Sequence, residues 1–268
     1  MGFAAKKIAA GYVADTNAKM TAASMPGLKK ALVGPAPGTP LLALIRYVSL
    51  SRPPSPSDIT APERDLILDD GSMCLGLVQH VNEPGWIATN DNGTAHGVAA
   101  AGHAKLIEYP AGCHIGVDME GIHDVGQPVL DYLKSWLAAV HAAGDLAVIY
   151  WGYAFQVAPA AVVALLSQGD IFWTDYGSHP APPGVGWTLK QHAQSMVGGT
   201  MVDLDEDVGV DGRGNSLVLM ALVADVNVET TDSPHADGIP LPFDTRDTEE
   251  PPPATEPNPS ADDTIKPT

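Results

Sequence analysis

The stretch His114-Ile115-Gly116-Val117-Asp118-Met119-Glu120-Gly121 decides how this chain is interpreted. It has the pattern of a buried strand that ends in two carboxylates. Because side chains alternate along a strand, Asp118 and Glu120 share one face and the three large apolar side chains share the other. A buried strand carries charge only where that charge has a partner or a task. The stretch therefore predicts a functional site at the end of this strand.

Short apolar runs alternate with amphipathic stretches through most of the chain, which is typical of parallel βα units. We predict eight strands, at 11–16, 41–49, 74–81, 113–120, 146–153, 170–176, 186–192 and 200–205. Helices are predicted between the first six strands, at 21–31, 60–71, 94–108, 128–143 and 159–167. A last apolar segment, 217–223, is either a strand or a short helix. The fold class is thus α/β, a (β/α)₈ TIM-type barrel.

Two regions depart from this regular pattern. The stretch between the sixth and seventh predicted strands is rich in Pro and Gly and has no helical periodicity, so the barrel is expected to be irregular in its later units. From 227 to 268, Pro, Asp, Glu, Thr and Ser dominate, with too little apolar surface to offset the entropy of ordering. We predict one barrel domain over 1–226 and a disordered or extended acidic tail over 227–268.

The formal net charge is −18 at pH 7, and about half of it lies after residue 224. No basic stripe offsets this charge, which argues against nucleic-acid binding and against an electrostatic attraction to anionic membranes or anionic cell-wall polymers. The lysines near the start are not followed by a long apolar run. We therefore expect no signal peptide and no transmembrane helix.

Six carboxylates lie at or near the ends of predicted strands. They are Asp15 in the first strand, Asp118 and Glu120 in the fourth, Asp175 in the sixth, and Asp203 and Asp205 in the eighth. The active site of such a barrel lies where the strands end in βα loops, and the first and eighth strands are neighbours. We expect these carboxylates to converge on one rim.

Paired carboxylates of this kind are what glycoside hydrolysis requires. One group protonates the leaving oxygen, and the other supports the developing charge or activates the attacking group. We assign Glu120 as the general acid, because a neighbouring like charge keeps a carboxyl group protonated at higher pH. Asp118 would act as nucleophile or as partner of a substrate N-acetyl group, with Asp15 and Asp203 supplying hydrogen bonds. The alternative is that the two acids are a capping residue and a solvated loop residue without a chemical role.

Polar and aromatic side chains late in other strands are candidates to line a substrate cleft, because aromatic rings stack on sugar faces. The substrate-binding candidates are Asp15, Tyr47, Gln79, His80, Tyr150, Trp151, Trp173, Asp175, Gln191, Asp203 and Asp205. The aromatic members also fit ordinary core positions.

No motif predicts a metal or a cofactor. The acid-rich segment 203–212 lacks the glycine and glutamate spacing of an EF-hand loop. The histidines show no H-E-x-x-H spacing, and the sequence contains no G-x-S-x-G, P-loop or G-x-G-x-x-G motif. We therefore predict no metal site and no cofactor.

Short motifs in a defined order give the chain a family resemblance, which covers roughly residues 11 to 210. They are Gly11 to Asp15, Arg46-Tyr47, Thr60 to Glu63, Gly71, Gly93-x-x-x-Gly97, Pro110, Ile115 to Glu120, Tyr150-Trp151-Gly152, Gln191 and Val202-Asp203. The chain resembles the lysozyme-type family 25 glycoside hydrolases, and more closely the related glycoside hydrolase-like domain of unknown function found in actinobacteria and their phages.

By position, Asp15, Asp118, Glu120 and Asp203 match the acids of the family 25 site. The family's opening has a small apolar residue and Ser after the aspartate, whereas this chain has Thr16 and Asn17.

The resemblance implies a barrel with a role related to peptidoglycan. The first hypothesis is a lysozyme- or muramidase-like hydrolase whose partner is peptidoglycan or another glycan. The second is a non-catalytic barrel that serves as a structural or glycan-binding component of a phage virion or secreted assembly, with the tail contacting a virion or assembly protein. A third, a cytosolic barrel enzyme for another small substrate, has no cofactor motif behind it. We expect localisation in a phage virion or the host cytoplasm, with action at the cell envelope.

Overall fold

The computed structural model describes residues 2–35, 38–50, 55–123, 126–177 and 179–223. The predicted tail, 227–268, lies outside the described residues and stays a prediction.

The described chain forms twelve strands and five helices. The strands are β1 (Gly2–Lys7), β2 (Gly11–Thr16), β3 (Leu32–Val33), β4 (Thr39–Tyr47), β5 (Cys74–His80), β6 (His114–Asp118), β7 (Leu146–Trp151), β8 (Ile171–Thr174), β9 (Leu189–Gln191), β10 (Ser195–Val197), β11 (Thr200–Asp207) and β12 (Val218–Val223). The helices are α1 (Met25–Lys30), α2 (Ala61–Leu68), α3 (Asn90–Leu106), α4 (Gln127–Ala142) and α5 (Pro159–Val163).

Eight of these strands close into a barrel in the order β2, β4, β5, β6, β7, β8, β9 and β11, and β11 pairs again with β2. Seven of them run parallel, whereas β11 is antiparallel to both of its neighbours, β9 and β2. The predicted barrel is confirmed, and so is the irregularity of its later units. Helices follow the strands from β2 to β7, but none is described between β8 and β11.

The alternation of side chains divides the apolar core into two layers. One cluster fills the barrel interior and includes Val13, Val78 and Trp173. The other lies between the barrel and the helices and includes Ile115, Val117 and Met119 of β6 and its turn. The predicted division of β6 into two faces is what the structure has: the apolar face points outward to the helices, and Asp118 points inward.

Two strands that flank the barrel cover its amino-terminal end. β1 and β12 pair antiparallel along their whole length, and β12 pairs with β5 at a single position. The Val218 N–H donates to Nδ1 of His114, the first residue of β6, at 2.9 Å. The last apolar segment is thus a strand, and this two-stranded ribbon lies at the end of the barrel opposite to the strand ends that carry the acids.

A buried ion pair fixes α2 against β4. The Arg46 guanidinium is fully buried and donates from Nε to Oε1 of Glu63 at 2.8 Å. The same guanidinium donates to the carbonyl oxygens of Thr16 and Ser57, and Glu63 also accepts from the Met20 N–H at 2.8 Å. One arginine therefore joins the end of β2, the loop before α2 and α2 itself.

The spacing Gly93-x-x-x-Gly97 places two small residues on the face of α3 that packs on α4. A Cβ atom at residue 97 would lie 2.7 Å from the Trp136 carbonyl oxygen, and one at residue 93 would collide with that of Tyr132. The two helices can approach this closely only because both positions are glycine. Among the described helices, none is long and apolar enough to cross a membrane.

Candidate active site

The end of β6 and the turn that follows it hold the two central acids. β6 ends at Asp118, two residues earlier than predicted, and Glu120 lies in the turn. The Met119 N–H donates to the Tyr150 carbonyl at 3.2 Å and the Gly121 N–H to the Tyr153 carbonyl at 2.6 Å. Gly121 has φ 74°, a conformation that glycine adopts readily. The turn is therefore held against the end of β7, with Glu120 between the two bonds.

Gly152 provides the space that Glu120 occupies. A Cβ atom at residue 152 would lie 2.6 Å from Cβ and 2.9 Å from Cα of Glu120. The glycine in the Tyr150-Trp151-Gly152 motif thus lets the end of β7 approach the acid.

Asp118 is held through both of its carboxylate oxygens. Oδ1 accepts from the Glu120 N–H at 2.8 Å, and Oδ2 lies 2.6 Å from Nδ1 of His80. His80 is the last residue of β5 and is paired with Asp118 in the sheet register, so both side chains point into the barrel mouth. The Asp118 side chain is buried, whereas that of His80 is 38% exposed.

The surroundings of these groups raise two pKa values. Burial raises the pKa of Glu120, and the negative charge of Asp118 raises it further. The hydrogen bond to Asp118 is the main cause that raises the pKa of His80. A carboxyl group that retains its proton beside a carboxylate and an imidazolium is an arrangement suited to general acid catalysis.

Asp15 and Asp205 form a second pair, deeper in the barrel. Both side chains are buried, and their carboxyl groups are within hydrogen-bonding reach of each other. Oδ1 of Asp205 accepts from Nε1 of Trp173 at 2.8 Å, whereas Oδ2 has no donor among the described residues. Burial raises the pKa of both groups, to about 8 for Asp15. A proton shared between the two carboxyl groups explains why both tolerate burial.

Polar side chains connect this pair to the barrel mouth. The Tyr150 hydroxyl donates to Oε1 of Gln191 at 2.8 Å, and Nε2 of Gln191 lies 3.5 Å from Oδ2 of Asp15. The Tyr47 hydroxyl lies 3.4 Å from Oδ1 of Asp15. The structure therefore brings these predicted cleft residues together around Asp15.

Asp175 and Asp203 lie at the same end of the barrel. Oδ1 of Asp175 contacts Nε2 of His179 at 2.7 Å, and Asp203 is paired with Asp15 across β11 and β2. Both acids act electrostatically on Glu120. The predicted convergence of six carboxylates at one end of the barrel is what the structure has, although Asp205 lies beneath the cleft, fully buried, rather than on its surface.

Two predicted cleft residues point the other way. Gln79 donates to the Ser49 and His96 carbonyls and accepts from Nε1 of Trp136, so it belongs to the layer between barrel and helices. Trp151 packs against Phe155 and Phe172 in that same layer. The prediction that they line the cleft is wrong, because each is one residue from the inward-facing position on its strand, His80 and Tyr150 respectively.

Two exposed tyrosines at the mouth are further candidate site residues, which the sequence analysis does not include. Tyr153 is 68% exposed and Tyr176 is 77% exposed, and they follow β7 and β8 directly. The backbone of Tyr153 holds the Glu120 turn, and Tyr176 follows Asp175. The signal that could have found them is their position in βα loops, immediately beyond strand ends.

A small pocket opens beside His80, with a volume of about 120 Å³. Its lining is largely polar and includes Asn17, Tyr47, Asp58, His80 and Glu83. Within the described ranges, no group of three or more His, Cys, Asp or Glu side chains is arranged to hold a metal ion.

A family profile described as "Rv2525c-like, glycoside hydrolase-like domain" matches residues 38–207. No curated protein matches the sequence.

Solved structures share the fold at low sequence identity. An uncharacterized protein from B. stearothermophilus is 15% identical with a TM-score of 0.56, covering 73% of this chain and 95% of that one. The Tat-secreted protein Rv2525c of Mycobacterium tuberculosis, in complex with L-tartrate, is 18% identical with a TM-score of 0.54, covering 75% and 98%. The modular autolysin LytC of Streptococcus pneumoniae, in complex with a synthetic peptidoglycan ligand, is 11% identical with a TM-score of 0.51, covering 74% and 46%.

The profile spans more than half of the chain and includes both β6 and the turn that carries Glu120. The resemblance found in the sequence motifs is thereby confirmed. The chain belongs to the family of Rv2525c-like, glycoside hydrolase-like domains.

Proposed function

We propose that this protein hydrolyses the glycan strand of peptidoglycan, as a muramidase-like enzyme that acts at the cell envelope. The observation that carries the proposal is the pairing of a half-buried Glu120, whose pKa is raised, with an Asp118 carboxylate that is held in one orientation. The family membership of this chain and the synthetic peptidoglycan ligand in the LytC complex support this choice of substrate.

The roles follow from the environment of each group. Glu120 keeps its proton to higher pH than an exposed glutamate and donates it to the leaving glycosidic oxygen. Asp118 is negative beside the developing positive charge on the sugar, or accepts a hydrogen bond from the substrate's N-acetyl group. The exposed rings of Tyr153 and Tyr176 offer flat apolar faces on which sugar rings stack.

The test is the release of muropeptides from purified actinobacterial peptidoglycan, with turbidity loss as a second readout. Glu120→Gln keeps the shape of the side chain and removes its proton, so we expect a loss of activity of at least about 100-fold. Glu108→Gln is the matched control, because Glu108 is a highly exposed glutamate that pairs with Arg64 far from Glu120 in the fold. Equal activity of native protein and Glu120→Gln would move the general acid elsewhere.

A second candidate function is a non-catalytic barrel that binds glycan within a phage virion or secreted assembly. The observation that favours it is that protein donors already hold both oxygens of Asp118, so the carboxylate has fewer free lone pairs with which to act on a sugar. Binding of glycan fragments by native protein and Glu120→Gln alike, with no muropeptides released by either on several wall types, would support this function over hydrolysis.

A further inference from the structure

His80 occupies a position that the family motifs of this chain do not include. It ends β5, lies opposite Asp118 in the parallel register, and places Nδ1 2.6 Å from Oδ2 of Asp118. The next backbone contact continues the ladder, since the Val81 N–H donates to the Asp118 carbonyl at 3.3 Å. Both the backbone and the side chain of the acid are therefore tied to the end of β5.

The other oxygen of Asp118 is held from its own turn, by the Glu120 N–H. Without His80, the carboxylate would keep one bond and gain the freedom to rotate about it. With His80, its plane is fixed on two sides. A carboxylate that has to be positioned on a sugar to within a few tenths of an ångström needs to be held in this way.

The charges around His80 explain why the imidazole is suited to the task. Asp118 and Glu120 face it from β6 and its turn, Tyr47 lines the same pocket from β4, and Asp58 and Glu83 line it from the loops. Acidic groups dominate this set, so an imidazolium is favoured, and the ring is exposed enough to exchange its proton with solvent. The positive charge also offsets the effect of Asp118 on Glu120.

We propose that His80 is a positioning residue of the hydrolytic site, which holds Asp118 in one orientation by an imidazolium–carboxylate contact. The inference rests on the proposed function and extends it. Asp118 is then one member of a three-residue unit. His80 orients Asp118, and the charges of both residues set the electrostatic environment of Glu120.

The test uses two substitutions at residue 80 and a matched control. His80→Ala removes the contact, and we expect the turnover number to fall about 10- to 100-fold with little change in KM. His80→Asn places an amide nitrogen where Nδ1 stands, so it restores part of the rate but not the ionisation. The control is His141→Ala, which removes a similar histidine–aspartate contact far from Glu120. Nε2 of His141 contacts Oδ1 of Asp170 at 2.9 Å, and Asp170 lies just before β8, at the other end of the barrel.

The pH profile separates a positioning role from a structural one. Activity of the native protein requires protons on both Glu120 and His80, so its alkaline limb reflects two ionisations. In His80→Asn this limb becomes less steep and moves to higher pH, because the cation that lowers the pKa of Glu120 is gone. His141→Ala should keep the native profile.

A measurement without substrate tests the contact itself. The imidazole of His80 should titrate above the usual histidine range in NMR spectra of the native protein and fall toward it in Asp118→Asn. If the native protein is active and both His80 variants share its rate and pH profile, the role of His80 is refuted while the proposed function stands. If the native protein releases no muropeptides, the proposed function fails and the role of His80 with it. An unshifted titration in Asp118→Asn contradicts the contact in either case.

Discussion

Glu120 and Gly152 meet where β6 and β7 end, and the acid can stand there because residue 152 has no side chain. The atoms that a methyl group at residue 152 would meet include Cα of Glu120, so a rotamer change alone does not relieve the collision. The placement of the general acid in the proposed function therefore depends on a residue that takes no part in the chemistry.

We expect Gly152→Ala to displace the Glu120 turn and to lower the turnover number on the order of 100-fold, since a misplacement of about 1 Å is worth that much. Ala154→Gly is the control in the same loop, because Ala154 has φ 69° and glycine relieves strain there. Muropeptide release and urea unfolding of both variants check the prediction. Native turnover in Gly152→Ala would contradict it.

Neighbouring residues in the strands show how well the sequence predicts the direction of single side chains. The alternation rule correctly places Asp118 and Val117 on opposite faces of β6, and the structure shows that the face of Asp118 is the inward one. Applied loosely, it also puts Gln79 and Trp151 in the cleft, although each is adjacent to the residue that faces the mouth. A strand pattern shows which residues share a face. Which of the two faces points into the barrel depends on contacts with other elements, such as the hydrogen bond from the Trp136 indole to Gln79.

At the scale of elements, α2 shows that tertiary contacts can override local signals. Thr60 followed by Glu63 has the spacing of a capping box, in which Glu63 would bond back to the helix start. In the structure the Thr60 side chain makes no capping bond, and Glu63 turns to the buried Arg46 instead. An arginine inside an otherwise apolar strand is the signal that a buried acid has to lie nearby.

Arg46→Met should destabilise the fold by about 3–5 kcal/mol, because the buried Glu63 carboxylate loses its hydrogen-bonded cation and keeps only the more exposed Lys19 ammonium, 3.9 Å away. Adding Glu63→Met should recover only part of that loss, because the Thr16 and Ser57 carbonyls and the Met20 N–H still lack their partners. The control is Lys29→Met, whose ammonium pairs with the exposed carboxylates of Asp69 and Asp70, so that breaking the contact leaves no acid buried and should cost no more than about 1 kcal/mol. Urea midpoints measure all three, and a loss in Arg46→Met no larger than in Lys29→Met would contradict the prediction.

The alternation of apolar and acidic residues in β11 does not reveal its direction. Its apolar and acidic alternation predicts a strand at 200–205, and the structure has one at Thr200–Asp207. The same period of two serves parallel and antiparallel strands, so the pattern carries no information on direction. The short β10, which forms a hairpin with β11, is what brings the chain back antiparallel, and three residues are too few to give a periodic signal.

For the molecule as a whole, buried acids set how stability depends on pH. Burial raises the pKa of Asp15 to about 8, of Asp145 to about 7 and of Asp207 to about 6. Each group binds its proton more tightly in the folded than in the unfolded state, where the pKa is about 3.9. Stability from these groups is therefore full below the unfolded pKa of about 3.9 and is lost as the pH rises from there through the folded values.

We expect the urea midpoint of the native protein to fall between pH 5 and pH 8. Asp205→Asn should reduce that fall, because the amide hydrogen-bonds to Asp15 without a shared proton. Each unit by which the folded pKa is displaced corresponds to about 1.36 kcal/mol of stability. Asp70→Asn is the control, since the pKa of that exposed acid is lowered and it does not titrate in this range. An equal fall in native protein and Asp205→Asn would show that Asp15 and Asp205 do not share a proton.

The ribbon of β1 and β12 has a practical consequence for handling the barrel. Gly2 is paired with Val223, and both lie at the end of the molecule away from Glu120. A bead, a fluorescent fusion or a larger particle joined at either position would leave the barrel mouth that carries Glu120 turned outward. A short peptide joining the two positions would close the backbone of the barrel into a circle without adding a residue at that mouth.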